Sequence, residues 1–482
     1  MRGGRPLTLP GGRDGWTSAA RLGLAKAMCP HPGPTVGPEY DPPECVALTG
    51  LTSDVAPPAN MPAPDEGEDG PAAKRSRRGR HRRLASRRRF ARPRFVAPVA
   101  GLVVVLLAAG PLVGAARTPG NEAYTAKVAD WLRSHHGSAL VTPMESWYYK
   151  HQAPGKGGRL RALNPLPPSP LPPSAIKVPD NTLGPISAPI PVATHLPAPA
   201  AVPLVVTPGL AQEGEWQPVG GSVNGQPGMY EAQFRADSTY TSQITSAVWI
   251  DPTVLTLSLV PGAREPGGTW STPPNLSGPA AASARAAFNG GFRFEDAHGG
   301  FYLDGREAVP LQEGAASVVI YADGRVNIGA WGSEVAMGSD VKAVLQNLVP
   351  IVDKGQPAPS ATYGDSRIWG NTLGANAVVA RSGLGTTATG ALVFVAGPAL
   401  TALTLAESLQ RAGAVRAMTL DINPEWVTFN YFNHGADGAV TPSKLYPSMQ
   451  RPADRYLGPT DESRDFFAVS VPLAIANDPH LG

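Results

Sequence analysis

Asp421 and Glu425 stand four residues apart across a turn set by Pro424, close enough for two carboxyl groups to divide acid and base work. Asn423 lies between them, and the three oxygen-bearing side chains would also suit a hard cation such as Ca²⁺. Three alternating oxygens alone define no metal site, and none is assigned. Arg381 is the sole charged residue between Ala375 and Gly397. Its planar fork of donors matches phosphate oxygens, and an internal ion pair with Asp421 or Glu425 is the alternative. Asn289 ends an apolar stretch and precedes Gly290 and Gly291. Its amide either addresses a ligand or shapes the turn, while the two glycines allow a ligand or strand to approach the backbone. Asp304 and Glu295 sit near glycine-rich turns, and His298 and His434 could carry protons, although an exposed loop histidine is the favoured reading of each.

These residues need strand ends to hold them. Between Phe288 and Trp331, short apolar runs alternate with Asn-Gly, Gly-Gly and Asp-Gly pairs, which accept the positive φ of tight hairpins at Tyr302 to Arg306 and Tyr321 to Val326. Strands are expected near Trp216 to Val219, Met229 to Phe234, Ala286 to Phe288, Gly300 to Leu303, Ser317 to Tyr321 and Arg325 to Ile328. Two more lie in Ser246 to Leu259, divided at Pro252. Val378 to Gly397 predicts two strands and a glycine-rich turn holding Arg381, and Val415 to Leu420 predicts a strand ending on Asp421. Helices are expected over Pro279 to Ala284, Val341 to Asn347 and Thr401 to Ala412.

The succession Asn289-Gly290-Gly291-Phe292, then Arg381-Ser382-Gly383-Leu384-Gly385, then Leu420-Asp421 resembles the phosphodiester glycosidase family over roughly Ala282 to Val471. It looks closest to membrane-anchored versions common in high-GC Gram-positive bacteria. The resemblance implies cleavage of a sugar 1-phosphodiester, with Asn289, Asp421 and Glu425 catalytic. The residues themselves suggest substrate binding by Arg381, Gly290, Gly291, Asn423 and Asp304, and no cofactor is assigned. Glycosidic cleavage ordinarily uses two carboxyl groups. One feature departs from the family: Asp421-Ile422-Asn423-Pro424-Glu425-Trp426 stands where many members have Asp-Gly-Gly and a small-hydroxyl run.

Composition sets the frame. With 53 Pro and 54 Gly in 482 residues and 16% charged residues, long stretches lack the means to fold. Residues 1–94 read as a disordered tail that becomes Arg-rich from Lys74 to Arg94, and residues 95–116 form an uninterrupted apolar run. About 20 residues at 1.5 Å each match a bilayer's hydrocarbon core, so this run predicts a single transmembrane helix. The basic flank would stay cytoplasmic, placing the C-terminal domain outside the cytoplasm. A cleaved signal peptide is the rival reading. Juxtamembrane arginines need no nucleic-acid partner, and none is expected.

Residues 117–153 predict a juxtamembrane helical segment, and 154–213 a proline-rich linker in extended form. Residues 214–475 then predict one α+β domain, sheet-rich with few helices. Cys29 and Cys45, the two cysteines, both precede the apolar run, so the exported domain would fold without a disulfide. Two functions fit: an anchored, outward-facing hydrolase acting on envelope glycan or its precursor, or a non-catalytic glycan-binding or envelope-assembly protein on the same scaffold.

Overall fold

Leu392-Val393-Phe394-Val395-Ala396 is apolar at every position, the pattern of a strand covered on both faces. In the computed structural model it is such a strand. The structure describes residues 109–117, 124–151, 153–167, 195–223, 225–370, 377–435, 438–458 and 464–472. The tail, the linker centre and residues 95–108 of the apolar run lie outside the described residues. Residues 109–117 are helical. Among the described residues no helix is long and apolar enough to cross a membrane.

Three antiparallel sheets and a few helices make a sheet-rich α+β architecture among the described residues. The first sheet has eight strands: Gln217–Val223, Gln226–Phe234, Thr245–Ile250, Leu392–Leu400, Val379–Thr387, Ala414–Thr419, Pro350–Asp353 and Gln356–Pro357, in spatial order. The second has five, Arg306–Val309, Phe301–Leu303, Val341–Gln346, Ala316–Tyr321 and Val326–Ala330. The third also has five, Val440–Lys444, Phe429–His434, Ala284–Asn289, Phe466–Ser470 and Thr256–Val260.

Alternation sorts the core. Leu392, Phe394 and Ala396 point into a cluster shared by all three sheets, where Phe288 stacks parallel to Phe429 with centroids 5.6 Å apart. Val393 and Val395 face the other way, onto Leu405, Ala406 and Leu409 of the helix Ala402–Arg411. That helix begins at a Thr401 cap whose hydroxyl accepts from the Thr404 amide.

One expected helix is a strand. Val341–Gln346 pairs on one side with Phe301–Leu303 and on the other with Ala316–Tyr321. Its apolar residues serve two cores, Ala343 and Leu345 in one and Val341 and Val344 in another. A strand buried on both faces loses the alternation that marks a half-buried one, so the short run Val341 to Asn347 reads ambiguously. The helices Tyr124–Ser134 and Ser138–His151 lie within the stretch 117–153 expected to be helical, and Trp147 and Tyr148 are exposed there.

Candidate active site

Strand ends from all three sheets meet around one serine. Ser382 is fully buried in the strand Val379–Thr387. Its amide donates to the Asp421 carbonyl (2.9 Å), and its hydroxyl accepts from the Asp421 amide (3.1 Å). From the third sheet, Asn289 Nδ2 donates to Ser382 Oγ (3.1 Å) and to the Gly290 carbonyl (2.8 Å), while Asn289 Oδ1 accepts from the Thr428 amide (3.1 Å). From the second sheet, Asn347 Nδ2 donates to the carbonyls of Thr419 and Leu420, both at 2.9 Å, and Asn347 Oδ1 accepts from the Phe292 amide. Asn289 and Asp421 are thereby locked together across 132 positions of sequence by contacts that saturate both amide side chains.

The Asp421 carboxyl is 3% exposed and richly served with donors. Oδ1 accepts from the amides of Ile422 (2.7 Å) and Asn423 (2.8 Å), and Oδ2 from Arg464 Nη2 (2.5 Å). Burial pushes this carboxyl up from its ordinary value, and the Arg464 charge with those two amides pulls against it. Three donors favour the ionised form.

Around Trp426 three arginines gather. The guanidinium carbons of Arg464, Arg455 and Arg451 lie 4.0, 4.6 and 4.8 Å from the indole centroid. Arg451 also pairs with Glu425 at 3.3 Å. Three guanidinium groups thus gather beside the carboxyl groups of Asp421, Glu425 and Asp465, a concentration of charge in a buried setting. A second buried carboxyl, Asp465, follows Arg464, and its backbone carbonyl accepts from the Gly290 amide at 3.2 Å.

Residues 282–421 match the sequence model of the phosphodiester glycosidase family. Asn289, Ser382 and Asp421 fall inside that span, whereas Trp426 and the three arginines lie beyond it. In structure the chain is similar to the zebrafish N-acetylglucosamine-1-phosphodiester alpha-N-acetylglucosaminidase catalytic domain auto-inhibited by its pro-peptide. The identity is 17%, the match covers 54% of this chain and 88% of that one, and the TM-score is 0.34. It is also similar to a hypothetical protein from Synechocystis, at 13% identity over 54% of this chain and 65% of that one, with a TM-score of 0.31. No curated protein sequence matches the chain.

The expected site residues divide. Asn289 and Asp421 converge, with Asn289 sealed among the strands at 4% exposure. Arg381 does not join them. It lies within a strand rather than in a turn, one position from Ser382, so its side chain takes the opposite face. There Nε donates to the Leu400 carbonyl at 2.9 Å and Nη2 to that of Ala377 at 3.3 Å. It pairs with neither Asp421 nor Glu425, whose partners are Arg464 and Arg451. Burial lowers the Arg381 pKa to about 10.

Asn423 spends its side chain on the Glu425 amide (3.0 Å), building the turn that the Asp421 loop needs. Gly290 is required sterically, since a Cβ there would lie 2.0 Å from Asp465 Oδ2, and a Cβ on Gly291 would fit tightly, 3.2 Å from the Asn347 side chain. Asp304 holds a hairpin of the second sheet at φ 48° and is exposed. His298 is exposed, and His434 is committed to the Ala284 carbonyl at 2.6 Å. Among the described residues no group of three His, Cys, Asp or Glu side chains is placed to hold a metal ion.

Proposed function

We propose that the domain is a hydrolase that cleaves a sugar 1-phosphodiester in an envelope glycan or its precursor, working at Asp421. The observation that carries this reading is a buried carboxylate, held in place by Asn289 and Ser382, lying against a cluster of arginines in a chain that matches the phosphodiester glycosidase family. Asp421 supplies the carboxylate chemistry at the sugar. Asn289 acts through Ser382 and is a positioning residue. The phosphate-binding role expected of Arg381 passes to Arg464, whose buried Nε has no hydrogen-bond partner among the described residues. Arg451 and Arg455 stack on the same indole as Arg464 and help to fix its position. The basic run 74–94 and apolar run 95–116 support a single-pass anchor with this domain outside the cytoplasm, and a reporter fused after Gly482 would then be active only there.

The purified protein should release free sugar and a phosphomonoester from sugar 1-phosphodiesters, measured by chromatography of the products. Protein that binds such diesters without releasing product would instead be a glycan-binding module. That second reading is favoured by the ion pairs that occupy both Asp421 and Glu425.

A further inference from the structure

Asp465 immediately precedes the strand Phe466–Ser470, whose first residue pairs with Asn289. Its carboxyl occupies the space that a side chain at residue 290 would need, which explains a glycine at that position without any turn requirement. The residue is 4% exposed, and Oδ2 has no hydrogen-bond partner among the described residues. It is also one residue from Arg464, the guanidinium that holds Asp421, and the Arg464 charge acts on both carboxyl groups.

We propose that Asp465 is the second carboxyl group of this site, donating a proton to the leaving phosphate oxygen while Asp421 stays ionised; this rests on the hydrolase reading above. As the bond from sugar C1 to the phosphate oxygen breaks, its electron pair stays on that oxygen, which takes the Asp465 proton. Water forms the new bond at C1 and gives its proton to Asp421. Solvent exchange then returns a proton to Asp465 and removes one from Asp421, leaving a free sugar and a phosphomonoester.

The asymmetry between the two carboxyl groups supports this division of labour. Asp421 has donors on both oxygens, one of them a guanidinium, whereas Asp465 has only the backbone amides of Gly291 and of itself and its Oδ2 has no hydrogen-bond partner among the described residues. The charged groups acting on Asp465 are Arg464 on its own segment, which also holds Asp421, and Glu265 from the loop after Thr256–Val260, which Arg293 approaches at 3.4 Å. Burial, with Glu265 adding to it and Arg464 opposing, pushes the Asp465 carboxyl up to about 7. An anionic diester would raise it further. A proton from Asp465 neutralises the charge that the phosphate oxygen gains as its bond to the sugar breaks.

The test is the pH profile of kcat/KM on a sugar 1-phosphodiester for the wild type, Asp465→Asn and Asp465→Glu. The wild type should lose activity through an alkaline limb centred near 7. Asp465→Asn should lower kcat by about 10²–10⁴-fold with little change in KM and abolish that limb, and Asp465→Glu should restore part of both. Wild-type activity in Asp465→Asn, or an unchanged alkaline limb, overturns this assignment alone. Should the asparagine variant fail to fold, a wild-type profile flat between about pH 6 and 8 overturns it. A wild type that binds diesters but turns over none overturns both this assignment and the hydrolase reading.

Discussion

Asp421 and Arg464 form a pair in which neither charge reaches water freely, with side chains 4% and 10% exposed. Asp421→Asn keeps the shape but leaves the guanidinium without its counter-charge, a loss of about 3–5 kcal/mol for a buried pair broken on one side. The variant should therefore lose hydrolysis and also melt several degrees lower, read by product release and by thermal denaturation in parallel. Arg381→Ala should behave differently. Its donors serve the carbonyls of Leu400 and Ala377 on the helix-covered face, so stability should fall by about 1–3 kcal/mol while the KM for a diester stays near the wild-type value. A KM raised tenfold or more would return the phosphate to Arg381. The residue types of Arg381 and Ser382 were both visible in sequence, but their order of importance was not. A lone arginine in an apolar run attracts notice, whereas the adjacent serine differs only in pointing to the other face, which depends on the register of the whole sheet.

The strands themselves were largely legible because their ends carry chemical punctuation. Asp304-Gly305, with φ of 48° and 85°, closes the hairpin that an Asp-Gly pair predicts, and Pro252 separates Thr245–Ile250 from Thr256–Val260. What the sequence hides is how sheets bolt together. Glu231 in the first sheet accepts from the hydroxyl of Tyr431 in the third at 2.8 Å, wholly inside the core, and also from Gln233 Nε2 at 2.9 Å. Burial raises the Glu231 carboxyl to about 7, with those hydrogen bonds pulling the other way. A raised folded-state value means that the neutral acid is the form the fold favours. Its stabilising contribution is then full below about 4.5 and is lost as pH rises through about 7. Glu231→Gln removes that dependence. Between pH 5 and 8 the stability of the wild type relative to this variant should fall by up to about 3 kcal/mol, measured by urea unfolding at both values. Parallel stability in the two proteins across that range would place the charge elsewhere.

At the scale of the molecule, composition draws the domain boundary near Gly214, where proline gives way to alternating strands. The residues just before it nonetheless contact the first sheet. His195 Nε2 lies 2.9 Å from the Val223 carbonyl, the Leu196 amide donates to Asp251 Oδ2 at 2.8 Å, and Val202 is 2% exposed with its amide bonded to the Gly214 carbonyl. Proline-rich sequence announces an extended backbone, and an extended backbone can lie along a domain as readily as it can span a gap. The strongest contact is ionic: Glu213 meets Arg235 through Oε1 to Nε at 2.9 Å and Oε2 to Nη2 at 2.7 Å, with both residues buried. Arg235 and two backbone amides hold the Glu213 carboxyl below its ordinary value against the opposing effect of burial, as expected for a paired carboxylate. A fragment starting at residue 214 keeps the arginine and loses its partner, at a cost of about 3–5 kcal/mol, together with the burial of Val202. Residues 195–475 should therefore melt roughly 5–15 °C above residues 214–475 when both are followed by circular dichroism. Glu213→Gln in the longer fragment should reproduce most of that loss, because it removes the counter-charge of Arg235 while keeping the strap. Equal melting temperatures for the two fragments would mean that the strap adds nothing and that the domain is complete from Gly214.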